Sequence, residues 1–131
     1  SYRVLGLQGV DMIFCGYNTP VHHPAAPDHD RLGQFHNELS MQSGAYQNSA
    51  WVIGIAKAGM EEGVDMIAGS CIITPTGEIA ARCSSAEDEV IVSRCDLDLG
   101  RSYRETTFNF ARHRRTEHYQ MIVERTGPIP P

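Results

Sequence analysis

The chain has 131 residues, 41% hydrophobic and 21% charged, with a formal net charge of −5, which is the size and balance of one soluble globular domain. The acidic balance argues against a nucleic-acid partner, because phosphate binding needs a clustered positive field and the RHRR run from Arg112 to Arg115 is too short to supply one. The longest apolar runs, such as Trp51 to Ala56, fall far short of the roughly 20 residues of a membrane span, and no basic-then-apolar leader precedes them; no membrane partner is expected and the default location is cytoplasmic.

In chain order, SYRVLGLQG reads as a short helix ended by Gly9. VDMIFCGY follows as a strand whose near-continuous apolar character predicts a sheet covered on both faces. The stretch 18–30 carries Pro20, Pro24 and Pro27 with His22, His23 and His29, and is long for a simple connection, so it is a loop expected to line a site. Asp28 or Asp30 could cap the helix that comes next. From Arg31 to Asn48 the residues Leu32, Phe35, Leu39 and Tyr46 follow the period of an amphipathic helix and mark its expected apolar face.

WVIGIAKAG is a second buried strand, and GMEEGVD is a turn with glycines near both ends. MIAGSCIIT and EIAARC are predicted to pair as a hairpin through PTG. EVIVSRCDL alternates and is predicted as a further antiparallel strand. Gly100 to about Arg125 reads as a turn and a mostly helical tail, with TGPIPP extended after it. One long helix and a tail are too little cover for this many apolar strands, so the chain is expected either to oligomerise or to need a further piece.

Several residue groups could carry chemistry. His22, His23, His29 and His36, with Asp28 and Asp30, are the residue types of a zinc or iron site, but their spacing matches no ligand pattern and no metal is assigned. His36 borders the apolar helix face and is expected at the edge of the core. Cys15 ends a strand, where open sheets place catalytic groups, yet its apolar neighbours and the lack of an adjacent base favour a structural thiol. The other cysteines, Cys71, Cys83 and Cys95, form no CxxC pattern and no disulfide framework. Asn18 and Thr19 offer an amide and a hydroxyl just past a strand end, able either to bind a ligand carboxylate or amide or to close an Asx turn. Ser70 in GSCIITPTGEI precedes a strand instead of a helix, which excludes a serine-hydrolase elbow, and Glu61, Glu62, Glu87, Asp88 and Glu89 read as solvated loop charges.

GYNTP, FHNELSMQSGAYQNSAWVIGIAKAG, GSCIITPTGEIAA, EDEVIVSRCDLD and FNFARHRR together resemble the carbon-nitrogen hydrolases of the nitrilase superfamily, and within it most resemble the N-carbamoyl-D-amino acid amidohydrolases. The similarity runs from about Arg3 to Glu124. It implies an α/β fold, a four-layer αββα sandwich of which this chain supplies about the C-terminal half. It further implies association into homodimers or homotetramers, with 100–131 as a tail used in those contacts. The implied chemistry needs no cofactor: a cysteine thiolate attacks the carbamoyl carbon, a glutamate serves as base and acid, and a lysine stabilises the oxyanion. All three residues are expected ahead of Ser1, so no catalytic residue is assigned in this chain. Asn18 and Thr19 match positions that hold the carboxylate end of an N-carbamoyl-D-amino acid, and His36 matches a histidine that supports the pocket loops. The alternatives are another amidase of the superfamily, acting on carbamoyl-putrescine or β-ureidopropionate, and an inactive fragment or binding module.

Overall fold

A computed structural model describes residues 2–128. The opening helix α1, Tyr2–Leu7, ends where Gly9 turns the chain with a φ of 80°. Strand β1, Met12–Tyr17, leads into the histidine-rich loop, and a 3-10 helix, Pro27–Leu32, runs directly into α2, Gly33–Asn48. Neither Asp28 nor Asp30 caps α2, whose N-cap, Leu32, makes no side-chain capping bond; the Asp30 carboxylate is turned back into its own loop. Strand β2, Trp51–Ala56, then pairs parallel with β1 in the register Met12 to Trp51 through Tyr17 to Ala56. Parallel neighbours need a crossover, and α2 is that crossover.

The turn after β2 is a small ladder of β3, Met60–Glu61, with β4, Val64–Asp65. Glu62 and Gly63 between them both have positive φ, 51° and 82°, as a tight two-residue hairpin turn requires. Strands β5, Cys71–Ile73, and β6, Ile79–Arg82, form the expected hairpin, and the main sheet runs β1-β2-β5-β6. Strand β5 is shorter than the sequence predicts, because Ala68 and Gly69 adopt positive φ just before it and break the extended run. The tail carries α3, Arg101–Glu105, α4, Phe110–His113, a 3-10 turn at Thr116–His118, and α5, Gln120–Glu124. Thr126 and Gly127 bend where an extended peptide is expected, and the remainder of that expectation, 129–131, lies outside the described residues.

The core lies between the sheet and α1 and α2: Ile13, Val52, Cys71 and Ile73 from the strands meet Met41 and Ala45 of α2, with Tyr2, Leu5 and Tyr17 around them. The buried face of α2 therefore differs from the periodic one. Met41, Gly44, Ala45 and Asn48 are buried, whereas Phe35, Leu39 and Tyr46 are exposed. Size decides this. A Cβ on Gly44 would stand 2.6 Å from the Tyr2 ring, and one on Gly54 would stand 2.7 Å from Met41 Sδ, so close packing selects small residues at both contacts. Tyr46 instead stacks edge-on against Tyr103 and Phe108 of the tail.

The opposite face of the sheet is covered only in part, at Trp51 and Ile72, which falls short of the expected cover on both sides. Phe14 is 68% exposed and Ile55 51% exposed there. The run predicted as a strand at EVIVSRCDL is also corrected: 89–97 has no ladder partner among the described residues, and Val90 and Val92 are 88% and 84% exposed. Its anchor is the buried Trp51, whose indole Nε1–H donates to the Asp96 carbonyl at 2.8 Å. Trp51→Phe removes that bond and leaves a small cavity where the larger buried ring stood. The expected result is a loss of about 2 kcal/mol in chemical denaturation of the full-length protein, with faster proteolysis within 89–97.

Candidate functional site

Strands β1 and β2 point the same way, so Tyr17 and Ala56 end at one rim of the sheet. Helix α2 runs back from that rim, which places its first turns, with His36, at the same end. Strand β5 begins there and β6 ends there, since Gly54 pairs with Cys71 and Cys71 with Arg82. The topology thus gathers Asn18, Thr19 and His36 at the carboxyl ends of the parallel strands, where open α/β sheets bind ligands.

The backbone around Asn18 and Thr19 is clasped on two sides. Tyr17 O accepts from Lys57 N at 2.9 Å, Thr19 O accepts from Ile67 N at 2.9 Å, and Val21 N donates to Asp65 O at 2.8 Å. Pro20, which has no N–H to give, sits opposite Met66 in an isolated antiparallel bridge. Ile67 in turn packs under the start of α2, with its Cδ1 3.4 Å from where a Cβ on Gly33 would be. Both side chains at Asn18 and Thr19 are exposed and make no hydrogen bond among the described residues. The Asx-turn alternative has no bond to support it, and the rim presents an amide and a hydroxyl on a fixed main chain.

His36 is exposed, not at the core edge. Its ring lies 6.5 Å from that of His29 and 5.7 Å from that of Phe35. The core-edge expectation fails with the apolar face on which it depended, because Phe35 itself points to solvent. The loop histidines do not converge: no group of three or more His, Cys, Asp or Glu side chains able to hold a metal occurs among the described residues. His22 pairs with Asp30 through Nδ1 at 2.6 Å.

All four cysteines are free thiols. Burial beneath α2, with the Glu38 carboxylate nearby, pushes the Cys71 thiol up to about 11, so it is protonated and unreactive at neutral pH. Burial also pushes Tyr17 up to about 12. Ser70 is occupied structurally, its hydroxyl accepting from Ala56 N at 2.9 Å to close the end of β2.

Three rim features were not singled out from sequence. Lys57, next in line after Ala56, pairs with Glu61 of β3. Glu38 of α2 bonds Arg82 of β6 at 2.7 Å and accepts from Gln34 Nε2 at 2.8 Å, tying helix to hairpin. Glu89 is held by the backbone N–H groups of Ser84 and Ser85, which keep its carboxyl below the usual carboxylate range. Gln34 and Glu38, four apart on a predicted helix, gave the clearest such signal in the sequence; the Lys57–Glu61 pair depends on the β3–β4 turn, the Glu38–Arg82 bond on how helix and hairpin meet, and the Glu89 contacts on the course of its own loop. A cleft of about 380 Å³ at the rim is lined by Ile55, Lys57, Gly69, Ser70 and Cys83. A larger cavity, about 600 Å³, lies between α1 and the tail, is walled by Val4, Leu7, Phe110 and Ile122, and shares no residue with the rim. Volume alone does not make it the site, since it gathers no strand end and no clasped polar pair.

A fold with its polar residues at the carboxyl ends of β1 and β2 has relatives. The carbon-nitrogen hydrolase family model matches residues 1–105, and the chain belongs to that family. It is 31% identical over 120 residues to a nitrilase of Pyrococcus abyssi, an alignment covering 91% of this chain and 41% of that protein. Among solved structures, a carbon-nitrogen hydrolase from Helicobacter pylori G27 superposes with a TM-score of 0.78 at 18% identity, over 95% of this chain and 44% of that one. The NitFhit protein of C. elegans gives 0.74 at 20% identity, over 90% and 26%. Saccharomyces cerevisiae Nit3, a member of branch 10 of the nitrilase superfamily, gives 0.62 at 19% identity, over 87% and 38%. The fold is therefore of the nitrilase type, and the chain spans less than half the length of each of these relatives. No helix among the described residues is long and apolar enough to cross a membrane.

Proposed function

We propose that this chain forms the substrate-carboxylate side of an amidohydrolase that converts N-carbamoyl-D-amino acids to the D-amino acid, ammonia and carbon dioxide. The observation that carries the proposal is the pair Asn18 and Thr19: their main chain is fixed between Lys57 and the stretch 65–67, while both side chains stand unbonded at the rim. An amide N–H and a hydroxyl held in this way suit the two oxygens of a carboxylate, and ordering them on binding costs little because the backbone is already set. A cysteine thiolate, a glutamate and a lysine ahead of Ser1 would carry out the attack on the carbamoyl carbon, release of ammonia and hydrolysis of the acyl-enzyme. His36, in the first turns of α2, would support the loop that borders the pocket. The partly open sheet face, with Phe14 and Ile55 exposed, and the exposed Ile122 and Val123 of the tail support a reading in which further sheet and partner copies cover this half.

The test is a side-by-side assay of the full-length enzyme on N-carbamoyl-D-phenylalanine, its L enantiomer, β-ureidopropionate and carbamoyl-putrescine. The proposal expects the highest kcat/KM on the D-carbamoyl acid. A preference for carbamoyl-putrescine, which has no carboxylate, would overturn both the substrate and the role of the rim.

A further inference from the structure

The loop that follows Asn18 and Thr19 is closed by a single side chain. The Asp30 carboxylate accepts from His22 Nδ1 at 2.6 Å through one oxygen and from the His23 backbone N–H at 2.9 Å through the other. Within the ring so formed, Ala26 N donates to His23 O at 2.9 Å and His29 N donates to Ala26 O at 3.0 Å. Asp30 itself belongs to the 3-10 helix that continues without interruption into α2. The chain leaving Thr19 is thus held at Val21 by Asp65, and one residue later by Asp30, which is rigidly joined to the helix carrying His36.

We propose that Asp30 is a positioning residue for the substrate clamp: by tying His22 and His23 to the lead-in of α2, it sets the course of the segment that presents Asn18 and Thr19. The role rests on the carboxylate-binding reading of the rim. A loop with Pro20, Pro24 and Pro27 has few backbone donors with which to organise itself, so a carboxylate with two acceptors is an economical clasp. The contact with His22, and then the His23 N–H, hold the Asp30 carboxyl below the usual carboxylate range. A group lowered in this way keeps its contribution above the ordinary carboxylate range and loses it only as pH falls through its own lowered value, so the clasp is closed throughout neutral and mildly acidic conditions.

The experiment compares full-length Asp30→Ala, Asp30→Asn and Asp28→Ala with N-carbamoyl-D-phenylalanine as substrate, and follows hydrogen exchange at the His23 amide. In Asp30→Ala, KM rises about tenfold with kcat within about twofold, and His23 exchange quickens. Asp30→Asn, whose Oδ1 still accepts from His23 N–H, recovers most of both. Asp28→Ala, at an exposed carboxylate with no side-chain bond among the described residues, matches the parent enzyme. Faster exchange with unchanged KM would overturn the positioning role, as would a joint fall of kcat and melting temperature without rescue by asparagine. If the enzyme hydrolyses a different amide and no N-carbamoyl amino acid, the proposed substrate fails by itself, and the same KM-against-kcat comparison on that amide decides the role of Asp30.

Discussion

Gly100→Ala in the full-length protein is expected to lower the free energy of unfolding by about 3 kcal/mol, the upper end of the range for overpacking a close contact. Gly100 is buried at the point where the tail begins, and a Cβ there would overlap the Ser49 carbonyl oxygen and stand 3.3 Å from the Pro75 Cβ. Its φ of −80° is open to any residue, so the requirement for glycine is one of space and not of backbone conformation. Nothing at the contact can move aside cheaply. Ser49 is itself held in the left-handed region, φ 53°, as the C-cap of α2, and its N–H is bonded to the Tyr46 carbonyl. Pro75 is fully buried in the β5–β6 turn. The substitution therefore forces apart the end of α2, the hairpin turn and the start of α3 together. Equilibrium urea denaturation measures the loss; a change below about 0.5 kcal/mol would mean that this junction is looser than described.

If the proposed function holds, Asn18→Ala in the intact protein raises KM for an N-carbamoyl-D-amino acid about tenfold or more while kcat changes within about threefold, the loss of one hydrogen bond to a charged group. The geometry favours this division between the constants. Asn18 stands at the strand end as an exposed amide with no internal partner, so its removal neither opens a cavity nor strands a buried group. The clasp at Tyr17, Thr19 and Val21 uses main-chain atoms only and survives the change. Asn18→Asp is the sharper companion: it keeps the shape, sets a like charge against the substrate carboxylate, and should weaken binding more than alanine does. A collapse of kcat with KM unchanged would place Asn18 in the chemistry instead of the clamp.

Much of the scaffold is legible in the sequence for definite reasons. β1 and β2 announce themselves as apolar runs bounded by glycine, proline and polar residues, and the β5–β6 hairpin through its turn at Gly77, which takes φ 88°. The crossover helix is legible in position but not in orientation. Periodicity weighs Leu32, Phe35, Leu39 and Tyr46 by hydrophobicity, whereas the closeness of Tyr2 and of the sheet favours small Gly44 and Ala45, and Gly54 makes room for Met41. The run 89–97 shows the converse limit. Its alternation is real, with Ile91, Ser93 and Cys95 half-buried and Val90, Val92 and Arg94 exposed, but alternation states which residues share a face and not whether a neighbouring strand exists to pair with.

At the site, residue type and place past a strand end mark Asn18 and Thr19 as able either to bind a ligand or to close an Asx turn, and only the family resemblance turns that choice into a substrate clamp. The His22–Asp30 clasp was not legible as such. The same residues suggested metal ligands or a helix cap, and only the fold of the loop directs the Asp30 carboxylate to one imidazole and one backbone N–H. Nor could the Lys57–Glu61 pair be told from solvated charges without the β3–β4 turn that brings them together.

The most direct test of the proposed clamp is a crystal structure of the intact protein, the cysteine proposed as nucleophile replaced by alanine, with N-carbamoyl-D-phenylalanine bound. The substrate carboxylate is expected within hydrogen-bond distance of Asn18 Nδ2 and Thr19 Oγ1 at the carboxyl end of β1. A carboxylate bound elsewhere, with Asn18 and Thr19 still turned to solvent, would contradict the clamp.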